Sequence, residues 1–143
     1  MVKYLVKKKL NYSNKQMFDL ISDVAKYPEF LPWCKAANIY NKSDDTFYSD
    51  MEIGFKLINE KFTSKVTLVE EYKVFSEAIS GPFKKMDNIW EIISISGNEC
   101  EINLTIEFEF KSFILQNIIG KLFEKASKKM ITAFEERANE LYK

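Results

Sequence analysis

The sequence contains no histidine, only two cysteines and only four glycines. Without histidine, the chain lacks the commonest general base of enzymes and the commonest protein ligand for metal ions. Two cysteines, Cys34 and Cys100, are too few for a disulfide framework or a four-ligand zinc site. With so few glycines, neither the dinucleotide-binding pattern nor the P-loop pattern occurs. These absences predict a binding protein that is not an enzyme and that uses no metal or organic cofactor.

The sequence also has no excess of one charge, only one arginine and no long apolar run. The 21 basic residues balance the 21 acidic ones, whereas a protein that coats nucleic acid carries a basic excess, so DNA is not expected as a partner. Arg137 is the only arginine, and a site that holds phosphate through two hydrogen bonds normally uses arginine. No apolar run reaches the ~18 residues of a membrane-spanning helix, and no secretory signal follows the N-terminal lysines. We expect a cytoplasmic protein, with a peripheral position at the inner membrane left open.

The lysines are concentrated at the two ends of the chain. Residues 1–15 contain five lysines and no acidic residue, and residues 111–143 contain seven basic and four acidic residues. If the first strand and the last helix are neighbours, they form one basic face that suits anionic lipid or RNA. A solvated surface with scattered charge is the alternative, and the composition does not decide between the two.

The first part of the chain predicts a strand, a helix and an unusual loop. Residues 2–10 predict the strand. Ser13 and Gln16 form a capping-box pattern, which predicts a helix that ends just before Pro28, because proline disfavours a helical residue before it. Residues 27–34 combine two prolines with large apolar side chains, so this loop is either packed down or used for contact.

A long antiparallel meander and one helix make up the rest. Strands are predicted over residues 36–42, 47–57, 60–69, 73–80, 88–96 and 100–111. In 47–57, 60–69 and 100–111, apolar and polar residues alternate with the period of half-buried strands. Ser49 and Ser64 fall on their inward faces. Residues 112–142 predict a single helix about 45 Å long, in which Gly120 indicates a slight kink or a close backbone approach. Only this helix is long enough to cover the sheet. The prediction is therefore one α+β domain, residues 1–143, in which a curved antiparallel sheet of about seven strands is wrapped around the C-terminal helix.

Five short stretches of the chain occur together in one known family. They are residues 22–24 with 27–34, Gly54-Phe55 with residues 62–66, residues 81–84, Trp90, and the final-helix residues Gly120, Phe123, Met130, 133–135, Arg137 and Ala138. In this order and spacing, they make the sequence resemble the coenzyme Q-binding START-domain family of the polyketide cyclase/dehydrase and lipid-transport superfamily. That family also includes bacterial ribosome-association toxins. The resemblance covers essentially the whole chain.

The resemblance implies a helix-grip fold of the START/Bet v-like type, with an apolar tunnel for a polyprenylated quinone or similar isoprenoid lipid. Lysine stands at positions 65 and 84, where the family commonly carries arginine, so charge is kept while bidentate hydrogen bonding is lost. Whether the inward faces form an open tunnel or a filled core is not decided by the pattern. The residues expected at the tunnel and its mouth are Phe30, Leu31, Trp33, Phe55, Phe62, Phe83, Trp90, Phe108, Phe110, Ile119, Leu122 and Phe123.

Three functions are compatible with this reading of the sequence. The leading hypothesis is a carrier that holds ubiquinone or a precursor in the tunnel and presents it to respiratory complexes or biosynthetic enzymes. The alternative is an inhibitor of ribosome association that binds the large ribosomal subunit. Its expected contact residues are Lys121, Lys125, Lys128 and Lys129 on the last helix. A cyclase or dehydratase follows from superfamily analogy alone, and the lack of histidine makes it the least favoured of the three.

Overall fold

The computed structural model describes residues 2–55 and 58–143, which form a seven-stranded sheet and helices packed on one of its faces. The strands are β1 (Val2–Leu10), β2 (Cys34–Tyr40), β3 (Thr46–Phe55), β4 (Ile58–Val69), β5 (Lys73–Ser80), β6 (Phe83–Ser96) and β7 (Glu99–Phe110). The helices are α1 (Asn14–Ser22), α2 (Phe113–Lys128) and α3 (Met130–Tyr142), and a short 3-10 helix spans Val24–Glu29.

All neighbouring strands are antiparallel, in the order β1-β7-β6-β5-β4-β3-β2. The two strands nearest the N-terminus therefore form the two edges of the sheet. Register shifts interrupt β2, β4 and both ends of β6. Such irregularities bend a strand and increase its twist, which lets the sheet curve around the helices. The predicted curved antiparallel α+β fold is confirmed.

Side-chain alternation places the core on the concave face. Along β7, every second residue from Cys100 to Phe110 is buried, while the residues between them are half-buried on the outer face. Each one-residue step along a strand reverses the side chain's direction, so this alternation assigns one face to the core and the other to water. The period-2 pattern of the sequence predicted this strand correctly.

The first helix begins as predicted and ends earlier. The Ser13 hydroxyl accepts a hydrogen bond from the Gln16 amide, and the Gln16 side chain accepts one from the Ser13 amide, so the capping box is present. However, α1 ends at Ser22, and a 3-10 helix that contains Pro28 replaces the predicted last turn. The Tyr27 hydroxyl donates to the Ile21 carbonyl, one of the last carbonyls of α1, which have no partner within the helix.

The predicted single helix over residues 112–142 is wrong, because the chain forms two helices with a break at Lys129. The Ser127 hydroxyl donates to the Phe123 carbonyl at 2.8 Å, and the Lys129 amide bonds the Ala126 carbonyl in a tighter turn. A serine that bonds the carbonyl four residues back bends a helix. Gly120 lies within regular α2, and a Cβ there would approach only the Gln116 side chain, so neither predicted role for this glycine is present.

Several strand boundaries also differ from the prediction, most of all the start of β6. β6 begins at Phe83, five residues before the predicted start, because it pairs with the end of β7 from there onward. β2 ends at Tyr40, since Asn41 has a φ of 52° and turns the chain away. Predicted residues 56 and 57 of the third strand lie outside the described part of the structure.

Candidate functional site

A cavity lies between the concave face of β3–β6, the start of α3 and the segment that follows α1. We call residues 24–33 the mouth segment, because four of them line this cavity. The cavity has a volume of about 60 Å³. It is lined by Val24, Tyr27, Leu31, Trp33, Ser49, Met51, Phe62, Ser64, Val66, Val74, Ser76, Met86, Asn88, Trp90 and Met130.

Some of the predicted tunnel residues line the cavity and others lie away from it. Leu31, Trp33, Phe62 and Trp90 line the cavity, and their contact with a ligand stays a prediction. The side chain of Phe55 lies outside the described part of the structure. The predicted tunnel residues outside the cavity lining are Phe30, Phe83, Phe108, Phe110, Ile119, Leu122 and Phe123.

Four of these phenylalanines form a packed cluster under α2. The rings of Phe108 and Phe123 are 4.5 Å apart between centroids, those of Phe83 and Phe110 4.8 Å, and those of Phe83 and Phe123 5.6 Å. Each such pair contributes about 0.5–1.5 kcal/mol beyond its buried area. Large side chains at the β6–β7 end of the concave face therefore pack on one another and fill the space there, which confines the cavity to the β3–β6 part of the sheet.

A second aromatic cluster holds the mouth segment against α3. Phe134 is 1% exposed, and its ring lies 5.2 Å from that of Tyr27, 5.0 Å from that of Phe30 and 4.8 Å from that of Trp90. Phe30, which was expected at the tunnel mouth, thus fastens the mouth segment from outside the cavity. Phe134 was not among the predicted site residues, although it lies within the final-helix residues 133–135 that carry the family resemblance.

The only arginine of the chain adds further contacts between α3 and the mouth segment. Nη2 of Arg137 lies 2.6 Å from Oε1 of Glu29, and the guanidinium lies 5.4 Å from the centre of the Phe30 ring. Arg137 thus links α3 to the last residue of the 3-10 helix. Sequence reasoning missed this role, because the two residues are 108 positions apart. The available signals were the presence of one arginine among twenty lysines and the place of Arg137 among the residues that carry the family resemblance.

Polar side chains interrupt the apolar lining at the sheet. Ser49 is 1% exposed and Ser64 is 4% exposed. Neither hydroxyl, nor the side-chain oxygen of Asn88, has a hydrogen-bond partner among the described residues. A buried polar group without a partner costs about 1–3 kcal/mol. The sequence pattern placed both serines on the inward face of the sheet, but neither was predicted as a site residue. The available signal was a polar residue at a strand position whose neighbours on the same face are apolar.

Charge is excluded from the cavity. Within the described part of the chain, no lining residue is acidic or basic. Burial raises the pKa of Tyr27, so its phenol stays neutral and donates to the Ile21 carbonyl. Cys34, which follows the mouth segment, is buried, and desolvation raises the pKa of its thiol to about 11. The cavity is therefore suited to a neutral, largely apolar molecule.

The first strand and the last helices are neighbours, which meets the condition for a single basic face. The Lys128 ammonium lies 5.4 Å from the centre of the Tyr4 ring of β1, and Lys8 forms an ion pair with Glu135 of α3. Burial, together with a hydrogen bond to Glu124, raises the pKa of Tyr4 to about 12. Lys121, Lys125 and Lys128 surround a shallow groove on α2, and exposed Lys129 follows them. Acidic residues are interspersed, since Lys128 lies 3.5 Å from Glu124.

Across residues 2–55 and 58–143, no helix is both long and apolar enough to cross a lipid bilayer.

Residues 10–135 match the model of the polyketide cyclase/dehydrase and lipid transport family. Among curated proteins, the chain is 40% identical over 138 residues to the ribosome association toxin RatA of Rickettsia prowazekii, covering 94% of each chain. It is 27% identical to the mitochondrial coenzyme Q-binding protein COQ10 homolog B of Xenopus laevis, covering 99% of this chain and 59% of that protein.

Solved structures share the fold. The Zhui aromatase/cyclase of Streptomyces sp. R1128 superposes with a TM-score of 0.85 at 12% identity, covering 96% of this chain and 93% of the other. At this level of identity, the likeness concerns the fold alone.

Proposed function

Since the chain belongs to the polyketide cyclase/dehydrase and lipid-transport family, we propose that it binds an isoprenoid lipid, with a quinone such as ubiquinone as the first candidate, in the cavity behind the mouth segment. The observation that carries this proposal is the uncharged, mostly apolar cavity between the sheet and α3. The driving force is the removal of the isoprenoid tail from water, about 25 cal/mol per Å² of apolar area. The relative named for coenzyme Q binding supports the same ligand class.

Ligand entry requires the cavity to expand. Its volume of about 60 Å³ is below the roughly 300–1,000 Å³ of typical small-molecule sites. Met51, Met86 and Met130 line it, and methionine side chains adapt readily to different shapes. The mouth segment lines the cavity and contacts α3 through the rings around Phe134 and through Arg137. In this proposal, the ligand enters when these contacts break and the mouth segment moves outward. In this proposal the protein carries its ligand to respiratory or biosynthetic enzymes and performs no reaction on it. The absence of histidine and the uncharged lining support binding rather than catalysis.

The first experiment is organic extraction of the purified protein, followed by mass spectrometry of the bound lipids. Titration calorimetry with a short-chain ubiquinone then tests the ligand-free protein. M130W places a large side chain into the cavity, and T132W, at an exposed position of the same helix, is the matched control. We expect M130W to lower quinone affinity at least about tenfold and T132W to bind like the wild type. A protein that is purified empty and gives no heat with added quinone would contradict the proposal.

A second function is supported by a different surface. The relative from Rickettsia prowazekii is named for ribosome association, and this chain presents Lys121, Lys125, Lys128 and Lys129 along α2 and its end, next to lysine-rich β1. We propose that this face binds the large ribosomal subunit through RNA phosphates. The surface and the cavity are separate sites, so both functions are compatible in one protein.

Co-sedimentation with large ribosomal subunits at increasing salt tests this second function. Replacement of Lys121, Lys125, Lys128 and Lys129 by glutamine is expected to weaken ribosome binding and to make it less dependent on salt. The control variant replaces Lys26, Lys42, Lys65 and Lys73 by glutamine, which changes the net charge equally on other surfaces. Absent co-sedimentation, or equal effects of the two variants, would refute ribosome binding through this face.

A further inference from the structure

Four polar side chains form a row across the floor of the cavity. Ser49 of β3 is paired directly with Ser64 of β4, and Ser76 of β5 is paired directly with Asn88 of β6. Ser76 also lies on the diagonal from Ser64, because Ser64 is paired with Ala78 two residues further along β5. All four side chains line the same cavity. The row therefore crosses four adjacent strands, whereas the rest of the lining is mostly apolar or aromatic.

Two hydroxyls of this row, those of Ser49 and Ser64, make no hydrogen bond within the described part of the chain. Side chains of directly paired residues have Cβ atoms about 4.5–5.5 Å apart, which allows paired serines to bond each other. Yet neither Ser49 Oγ nor Ser64 Oγ has a partner in the part of the chain that the structure describes, although both side chains are more than nine-tenths buried. The amide oxygen of Asn88, a half-buried residue, is itself buried and also lacks a partner there. Buried polar groups are nearly always paired, so three unpaired ones on one cavity point to a molecule that pairs them.

We propose that this row binds the polar head of the ligand and that the head is a neutral oxygen-bearing group, a carbonyl or a hydroxyl. The inference rests on the proposed function, since it names the part of the ligand that the cavity recognises. Serine hydroxyls both donate and accept hydrogen bonds, and the Asn88 amide offers a donor and an acceptor, so the row suits either group. A quinone carbonyl and an isoprenoid alcohol share this chemistry.

An anionic head does not fit. A buried carboxylate or phosphate needs a counter-charge, and the lining has none among the described residues. The Tyr27 phenol is already engaged with the Ile21 carbonyl. The row therefore distinguishes neutral isoprenoid lipids from the corresponding acids and phosphates.

Titration calorimetry with three probes that share one tail tests the row: farnesol, farnesene and farnesoic acid. The wild type is expected to bind farnesol about tenfold or more tightly than farnesene, through one or more hydrogen bonds in a dry site. Farnesoic acid at pH 8 is expected to bind most weakly. In the double variant S49A/S64A, farnesol affinity should fall towards that of farnesene, with Ser76 and Asn88 retaining part of the preference, while farnesene affinity stays unchanged. The control S94A/S96A removes two exposed serines of β6 and should behave like the wild type.

The outcomes separate the two proposals. Equal binding of farnesol and farnesene by the wild type, or an unchanged preference in S49A/S64A, would refute head recognition while leaving lipid binding intact. No binding of any probe would refute both. Urea unfolding of the ligand-free variants gives an independent readout. If the hydroxyls serve the ligand, S49A/S64A unfolds at the same or a higher urea concentration than the wild type, and a clear loss of stability would assign them to the fold instead.

Discussion

Replacement of Arg137 by alanine is expected to loosen the mouth segment. Four contributions are lost: the ion pair with half-exposed Glu29, a longer, exposed ion pair with Glu140 at 4.0 Å, the guanidinium above the Phe30 ring, and the packing of a side chain that is only 17% exposed. A partly exposed ion pair contributes about 0.2–1 kcal/mol, and a cation over an aromatic ring about 0.5–1 kcal/mol. Together with lost packing of the aliphatic stem, R137A should lower the free energy of unfolding by about 1–2 kcal/mol.

Lys26 provides the matched control, because it is the other cation beside the same carboxylate. Its ammonium lies 3.5 Å from Glu29 Oε2, but its side chain is 58% exposed and adds no ring contact in the described structure. K26A should therefore change stability by less than about 0.5 kcal/mol. Urea unfolding followed by tryptophan fluorescence measures both variants, since Trp33 and Trp90 line the cavity. Equal stability losses in R137A and K26A, or no loss in R137A, would refute the role assigned to this arginine.

Hydrogen exchange separates local from global loosening in R137A. The Leu31 amide bonds the Tyr27 carbonyl at 2.9 Å within the mouth segment. Its exchange should accelerate more than that of amides in β7, whose protection depends on global unfolding. Uniform acceleration across the chain would instead mean that Arg137 supports the whole domain.

Three further predictions concern the core, a turn and the thiols. F134A should destabilise the fold by about 3–5 kcal/mol in urea unfolding, because it empties a fully buried site with three ring contacts. G81A should cost at least about 1 kcal/mol, since Gly81 has a φ of 121° and a Cβ there would lie 2.5 Å from the Phe62 Cβ; native-like stability of G81A would contradict this. Desolvation raises the pKa of Cys34 and of Cys100 to about 11 from 9.0, so both thiols are neutral in the folded protein at pH 8 and should react with a thiol reagent only on unfolding. The folded state thus gains stability below pH 9 that is lost as the pH rises towards 11, and an unfolding midpoint that is constant over this range would contradict the assignment.

Local sequence signals predicted the elements whose geometry is set locally. The alternation in β7 and the capping box at Ser13 each depend on neighbours within a few residues, so a short stretch of sequence contains all the necessary information. The break at Lys129 depends on whether the Ser127 hydroxyl donates its hydrogen bond to water or to the Phe123 carbonyl. The buried position of Ser127 decides this, and burial is a property of the whole fold.

The candidate site was predictable in its apolar part only. Inward-facing strand positions gave Phe62, and the proline-bounded loop gave Leu31 and Trp33. The division between a packed phenylalanine cluster and a cavity depends on how α2 and α3 sit on the sheet, which no pattern within one strand records. The same holds for Arg137, which reaches Glu29 only after the helix has docked.

The distribution of polarity on the concave face argues that the β3–β6 region was shaped by something other than folding. On β7, under α2, every buried position from Ile102 to Phe110 is apolar, which is what stability alone favours. On the paired strands β3 and β4, Ser49 and Ser64 occupy equally buried positions of the same face without a hydrogen-bond partner among the described residues, an arrangement that costs about 1–3 kcal/mol per group. Both regions belong to one sheet and share one strand pattern, so secondary structure does not account for the difference. It follows the boundary between packed core and cavity, which is the distribution expected if the cavity binds a ligand through these polar side chains.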